Sequence, residues 1–281
     1  MKKRILTLSL VIALIATCFA GTLAYLTDED AAKNVMTLGN VSIEQLELQR
    51  KDGVDYKNGG KIADGDELEN FKQNQLLAPT TYSAKSDYTA KGPDAEQFWW
   101  GSYVTADVSG KGSSNGLWDD NLTGAMDKMV FVKNDGKLDC YYRTIIAFEC
   151  PEGTDYSAGS DKEFMMNVNS NSRFVISDEV YVTVNNTRYM VITFTYNQKL
   201  EAGKISRPSL LQVVMTHNAT NEDIALLGET YEILTLSQAC QTNGFDSAAD
   251  AQNTAFDELT ADNYVEWLTP VAQAQAGPVA R

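Results

Sequence analysis

The chain has 281 residues, with 23 basic and 38 acidic side chains, a net charge of −15 and one histidine. So acidic a chain is repelled by nucleic acid and by anionic lipid, which excludes both as partners. One histidine, His217, falls short of the two or three that zinc hydrolases usually employ.

Met1-Lys2-Lys3-Arg4 is a basic start, and Ile5–Ala20 is an apolar run without charge. At roughly 16 residues the run is short for a bilayer-spanning helix, which needs about 20. Basic start, short apolar stretch and small residues before a cut are the layout of a secretory signal peptide. Thr22-Leu23-Ala24 places small side chains before the bond between Ala24 and Tyr25, the expected cleavage site. A cut after Ala20, a retained anchor and lipidation at Cys18 are the alternatives. The expected organisation is a signal helix over 1–24, then a single secreted domain over 25–281 that meets a membrane only during export. Lys2, Lys3 and Arg4 precede the cut, so 20 basic side chains remain against 38 acidic ones.

Tyr25–Lys33 is polar and acidic after two apolar residues. Val35, Thr37, Val41, Ile43, Leu46 and Leu48 alternate loosely, which predicts an early strand or two broken near Gly39-Asn40. Residues 51–75 and 109–120 are charged or Gly-rich and read as loops or insertions. Phe98, Trp99 and Trp100 form the densest aromatic cluster. They suit a core strand or an exposed platform for glycan or a neighbouring subunit.

Met129–Lys133 predicts a strand, Asn134-Asp135-Gly136-Lys137 a turn in which Asp-Gly can supply positive φ, and Asp139–Cys150 a return strand. On that strand Cys140, Tyr142, Thr144, Ile146 and Phe148 share one face; Tyr141, Arg143, Ile145 and Ala147 share the other. Further strands are predicted at Arg173–Ile176, Val180–Val184, Tyr189–Tyr196, Leu210–Met215 and Tyr231–Leu236, with Asn185-Asn186-Thr187 turning between two of them. This spacing argues a mainly β fold, an antiparallel β-sandwich with a few short helices. Asp246-Ser247 can cap a helix over Ala248–Leu259, Asp262–Leu268 adds a turn or two, and 272–281 reads as a loose tail.

Three cysteines follow the cut. Cys140 and Cys150 lie about ten residues apart on one strand, roughly 33 Å, beyond disulfide reach, so any bridge would involve Cys240. The other reading is three small buried thiols. No Gly-x-Ser-x-Gly elbow, His-Glu-x-x-His motif or phosphate-cradling loop is present. The acidic pairs Asp28/Asp30, Asp64/Asp66 and Asp119/Asp120 fit no Ca²⁺ loop with Gly sixth and Glu twelfth. No catalytic residue, metal ligand or cofactor is expected beyond a weak extracellular Ca²⁺ site.

Gly21-Thr22-Leu23-Ala24-Tyr25-Leu26-Thr27-Asp28, then Asn34 and Thr37-Leu38-Gly39-Asn40-Val41-Ser42-Ile43, resembles the signal-peptide junction of the TasA/camelysin (CalY) family of Gram-positive bacteria. Leu26 stands where Phe is common there. Val132–Arg143, Leu200-Glu201-Ala202-Gly203, Leu210-Leu211 with Val214, and Gln241–Asp246 are similar to later stretches of such sequences. The resemblance implies a jelly-roll-like β-sandwich, processing by a SipW-type signal peptidase and assembly into biofilm-matrix fibres. Self-association or related matrix subunits would be its partners, in the extracellular matrix or on the cell surface. It implies a donor strand built on Tyr25, Leu26, Thr27, Val35 and Met36, added to the next subunit. A camelysin-like metallopeptidase centred on His217, and a surface glycan- or Ca²⁺-binding module, are the alternatives. The junction predicts Tyr25 as the first residue of the exported protein by N-terminal sequencing; a membrane-bound product retaining residues 1–20 contradicts it.

Overall fold

The computed structural model describes residues 24–27, 35–38, 41–51, 68–72, 75–77, 126–153, 164–169, 173–215, 219–227 and 230–275. Over these the chain is mainly β. The strands are β1 (Ala24–Thr27), β2 (Val35–Leu38), β3 (Ile43–Arg50), β4 (Leu68–Asn70), β5 (Gln75–Leu77), β6 (Met126–Asp127) and β7 (Met129–Asn134). After them come β8 (Cys140–Glu149), β9 (Phe164–Val168), β10 (Phe174–Ile176), β11 (Val180–Val184), β12 (Thr187–Tyr196), β13 (Leu210–Met215) and β14 (Thr230–Gln241). Three helices are described: α1 (Asn221–Leu227), α2 (Ala248–Thr254) and α3 (Ala261–Gln275).

The large sheet runs β10-β12-β8-β14-β1-β5, with β11 also on β12 and β2 also on β14. Facing it is a layer of two three-stranded sheets, β4-β3-β7 and β6-β13-β9. The segment approaching β13 bonds along the free edge of β7. Ser206 N–H donates to Val132 O and Ser209 N–H to Val130 O.

Alternation on β8 builds two cores. Cys140, Tyr142, Ile146 and Phe148 face the second layer, where they meet Ile43, Val130, Val132 and Val213. Ile145 and Ala147 face outward, where α3 covers them with Tyr264, Trp267, Leu268 and Val271. The expected division of β8 into faces therefore holds. The β11–β12 turn also forms as expected, with Asn185 at φ 50° and Asn186 at φ 72°, a conformation that Asn tolerates better than most side chains.

The expected β7–β8 hairpin is not formed. β7 pairs with β3, and β8 pairs with β12 and β14, so residues 135–139 carry the chain from one layer to the other. Buried Asn134 ties this crossover, donating from Nδ2 to Leu138 O and Leu200 O and accepting from Gly136 N–H. Gly136 is not at positive φ. Its need is close approach: its N–H donates to Ser42 O at 3.1 Å, and an added Cβ would lie 3.0 Å from Ser42 N.

Other differences lie at element ends. β4 falls inside the stretch 51–75 read as loop, because Leu68 is buried beside Leu48 and Met129. α2 stops at Thr254, capped at its start by the Ser247 side chain as expected, instead of running to Leu259. α3 runs to Gln275, through Pro270 and into the first residues of the expected loose tail. Burial of Val271, Ala272 and Gln275 outweighs the backbone bond that proline cannot donate. α1 was not signalled by the sequence. Residues 52–67 and 109–120 lie outside the described residues.

Cys140, Cys150 and Cys240 are buried thiols outside any disulfide. Cys240 pairs with Tyr141, and side chains alternate, so the Cys140 and Cys240 thiols leave opposite faces of the sheet and cannot bridge. Burial pushes the Cys140 thiol up to about 12 and the Cys240 thiol up to about 11, which makes both inert at neutral pH. Leu268 is fully buried between α3 and the sheet. Replacing it with Ala should cost about 2–5 kcal/mol, measured by urea unfolding; a loss under about 1 kcal/mol would mean α3 is dispensable to the sheet.

Candidate functional site

β14 is the longest strand among the described residues, and Tyr231, Ile233, Thr235 and Leu236 make it a strong one. One edge is paired antiparallel to β8 from Ile233 to Gln241. The other edge is covered by the N-terminal segment, and in the parallel sense. Tyr25, Leu26 and Thr27 pair with Thr230, Tyr231 and Glu232. Val35, Met36, Thr37 and Leu38 pair with Ser237, Gln238, Ala239 and Cys240. Thr27 and Val35 are eight positions apart while Glu232 and Ser237 are five apart, so β1 and β2 hold two separate registers on one strand. β5 pairs antiparallel on the outer side of β1.

All five residues expected to form a donor strand thus lie in strands paired to β14. Cleavage between Ala24 and Tyr25 would leave the three β1 residues that pair with β14 at the new N-terminus. Phe98, Trp99, Trp100 and His217 lie outside the described residues.

The receiving strand is braced on both faces. Toward the second layer runs a polar line unusual for a sandwich core. Lys128 Nζ, fully buried, donates to Glu47 Oε2 at 2.5 Å and lies 4.5 Å above the Phe71 ring. Thr235 Oγ1 donates to Glu47 Oε1, Gln45 Nε2 donates to Thr235 Oγ1 at 2.7 Å, and Ser237 Oγ donates to Gln45 Oε1 at 2.8 Å. Thr144 and Ser237 hydroxyls complete it at 3.1 Å. Burial pulls the Lys128 ammonium below its ordinary value, and Glu47 opposes that shift. These bonds tie β3 to β14 in one register, since apolar contacts slide and hydrogen bonds do not.

On the outer face, buried Arg143 of β8 donates from Nε to Gln238 Oε1 at 2.6 Å and from Nη2 to Asp257 O at 3.0 Å. Its guanidinium lies 4.8 Å from the Phe256 ring and 4.9 Å from the Trp267 ring. Burial lowers it to about 10, still charged at neutral pH. Arg143 therefore joins β8, β14, the α2–α3 connection and α3.

The lower end of β14 holds paired carboxylates. Ile233 pairs with Phe148, so Glu232 and Glu149 come next to each other beyond that pair. Glu232 N–H donates to Glu149 Oε2 at 2.8 Å, and Tyr189 Oη donates to Glu232 Oε2 at 2.5 Å. Burial raises the Glu149 carboxyl to about 8, with the Glu232 charge adding to the shift.

The opposite edge of the large sheet is built differently. β10 and β11 have three and five residues, with Asp178 and Glu179 between them. Short edge strands and charge discourage pairing with another chain. Val175 is 61% exposed there, and the Arg188 guanidinium sits 4.4 Å over the Tyr181 ring. Among the described residues, no group of three His, Cys, Asp or Glu side chains could hold a metal ion.

β14 was visible in the sequence only as Tyr231–Leu236, because Ser237–Gln241 is polar and small. The role of Glu149, Glu232 and Lys128 had no sequence signal: charged residues in strands normally face water. No protein-family model, curated protein or solved structure matches the chain.

Removing Glu47 takes the carboxylate away from a buried ammonium, so Glu47→Ala should destabilise by about 3–5 kcal/mol, whereas replacing the whole pair, in a Glu47→Leu/Lys128→Met double variant, should be near neutral. Chemical denaturation of both variants measures this; equal losses would mean the pair acts by packing alone.

Proposed function

We propose that this chain is a secreted structural protein of the extracellular matrix or cell surface. It is a fibre subunit that assembles when its N-terminal strand is donated to the β14 edge of a neighbouring copy. The observation that carries the reading is the parallel docking of β1 and β2 along β14.

A strand held by hydrogen bonds between β14 and β5 can be replaced by the same segment of another copy, with the same bonds made. The exchange conserves every β1 and β2 contact, so its cost is confined to the connection between strand and domain. A head-to-tail contact of this kind repeats without closing and yields filaments. The short, charged β10–β11 edge favours β14 as the acceptor and gives growth one direction. The resemblance at the export junction supports the same reading: a SipW-type peptidase cutting before Tyr25 would free the strand only outside the cell. Asp28, Glu29 and Asp30 follow Thr27 and keep a freed segment soluble.

The test is electron microscopy and sedimentation of the exported protein beside a version lacking residues 25–34. The intact protein should form filaments, and the truncated one should remain small. Filaments of identical appearance from both would end the strand-donation reading.

A further inference from the structure

Lys128 and Glu47 are placed as reactants as well as an ion pair. Lys128 lies between β6 and β7, where its own N–H donates to Leu211 O of β13. Glu47 lies on β3, paired with Val130 of β7. Lys128 is fully buried, while the Glu47 side chain keeps 12% of its surface exposed.

The two carboxylate oxygens of Glu47 have different partners. Oε2 accepts Lys128 Nζ at 2.5 Å. Oε1 accepts the Thr235 hydroxyl and, at 3.1 Å, Gln45 Nε2. Gln45 Nε2 also donates to Thr235 Oγ1 at 2.7 Å, which leaves the Thr235 proton pointing at Glu47. An amine thus stands against one side of the carboxyl group. Two donors stand at the other oxygen, where negative charge would gather if that amine attacked. The Phe71 ring, 4.5 Å from Nζ, closes the amine side with apolar surface. Burial pulls the Lys128 ammonium below its ordinary value, with Glu47 opposing, so it gives up a proton more readily than a lysine in water.

We propose that Lys128 and Glu47 condense to an amide, an internal covalent cross-link between β3 and the β6–β7 junction. Lys128 first passes a proton across its hydrogen bond to Oε2, leaving a neutral amine and a carboxylic acid. Nζ then moves from Oε2 to the carboxyl carbon and forms the C–N bond, while charge builds on Oε1 under Thr235 and Gln45. The C–Oε2 bond breaks, and Oε2 takes a second proton from the nitrogen and leaves as water. One ammonium hydrogen stays on the amide and two leave with the water, with no change of oxidation state.

Proximity drives the step, since well-placed intramolecular partners reach effective concentrations of about 10⁵–10⁸ M. Condensation also removes two charges from a place where charge is costly to bury. The exposed part of Glu47 gives the water a way out. The link ties positions 81 residues apart, so a pull on the chain ends bypasses everything between them. That suits a protein that carries load, and it requires no exchange of strands between copies.

Mass spectrometry of the exported protein, denatured and digested with trypsin, reads the link directly. Lys128 in an amide resists trypsin, so fragments 34–50 and 112–133 should appear joined and lighter than their sum by one water. Fragment 34–50 found only by itself, with full cleavage after Lys128, overturns the proposal. Lys128→Arg keeps the charge and cannot condense, so it should release 34–50 by itself; a joined product there assigns the link to other residues and overturns the proposal too. Should Lys128→Arg not fold, fragmentation of the joined wild-type peptide decides, because it must place the bond on Glu47 and Lys128. In a pulse-chase, Thr235→Val should slow linking by about a hundredfold; an unchanged rate removes Thr235 from the step. The near-neutral Glu47→Leu/Lys128→Met variant expected above refers to the ion-paired form, before any link.

Discussion

The backbone of β14 must be paired along both edges. Its twelve residues cross the middle of the large sheet with most side chains buried on both faces. An unpaired buried N–H or C=O costs about as much as a lost hydrogen bond, so an open edge along Thr230–Cys240 would be expensive. β8 satisfies one edge from the body of the fold. The other is satisfied from the N-terminal segment, and that division makes the protein's completion depend on a segment far away in sequence. Parallel pairing is possible there because more than 180 residues separate the partners, far beyond what a crossover requires.

The surroundings of β14 keep that edge in place. Hydrogen bonds from Gln45 and Glu47 fix it to β3, and Arg143 fixes β8 to β14 and to the helical cover. Both devices bury charge. Lys128 with Glu47 and Arg143 between two aromatic rings are costly to desolvate and add little net stability over apolar residues. What they add is register: a β14 shifted by one residue would leave Glu47, Gln45 and Gln238 without partners. The edge on which β1 and β2 lie is thereby held in one register.

Much of the sheet was legible. Strands β8, β10, β11, β12 and β13 match the runs of β-branched and aromatic residues closely, and the Asn185-Asn186 turn and Ser247 cap obey local rules. These features depend on neighbours within a few residues. The errors are of another kind. The β7–β8 turn has hairpin chemistry, but β3 and the 203–211 segment compete for β7 and win because Val130 and Val132 face the opposite layer. α3 continues through Pro270 because the sheet's outer face needs covering. The last third of β14 is polar and small, and only its neighbours make it a strand.

The sequence by itself determined the mainly β character, the faces of β8 and the net negative charge, because periodicity, charge and turn residues act locally. Only the tertiary structure decided that β1 and β2 lie parallel on β14, that Lys128 and Arg143 are buried, and that Glu149 meets Glu232. Each of these joins residues remote in sequence, and the stability of a buried charge or a paired edge belongs to the partner that the fold brings to it.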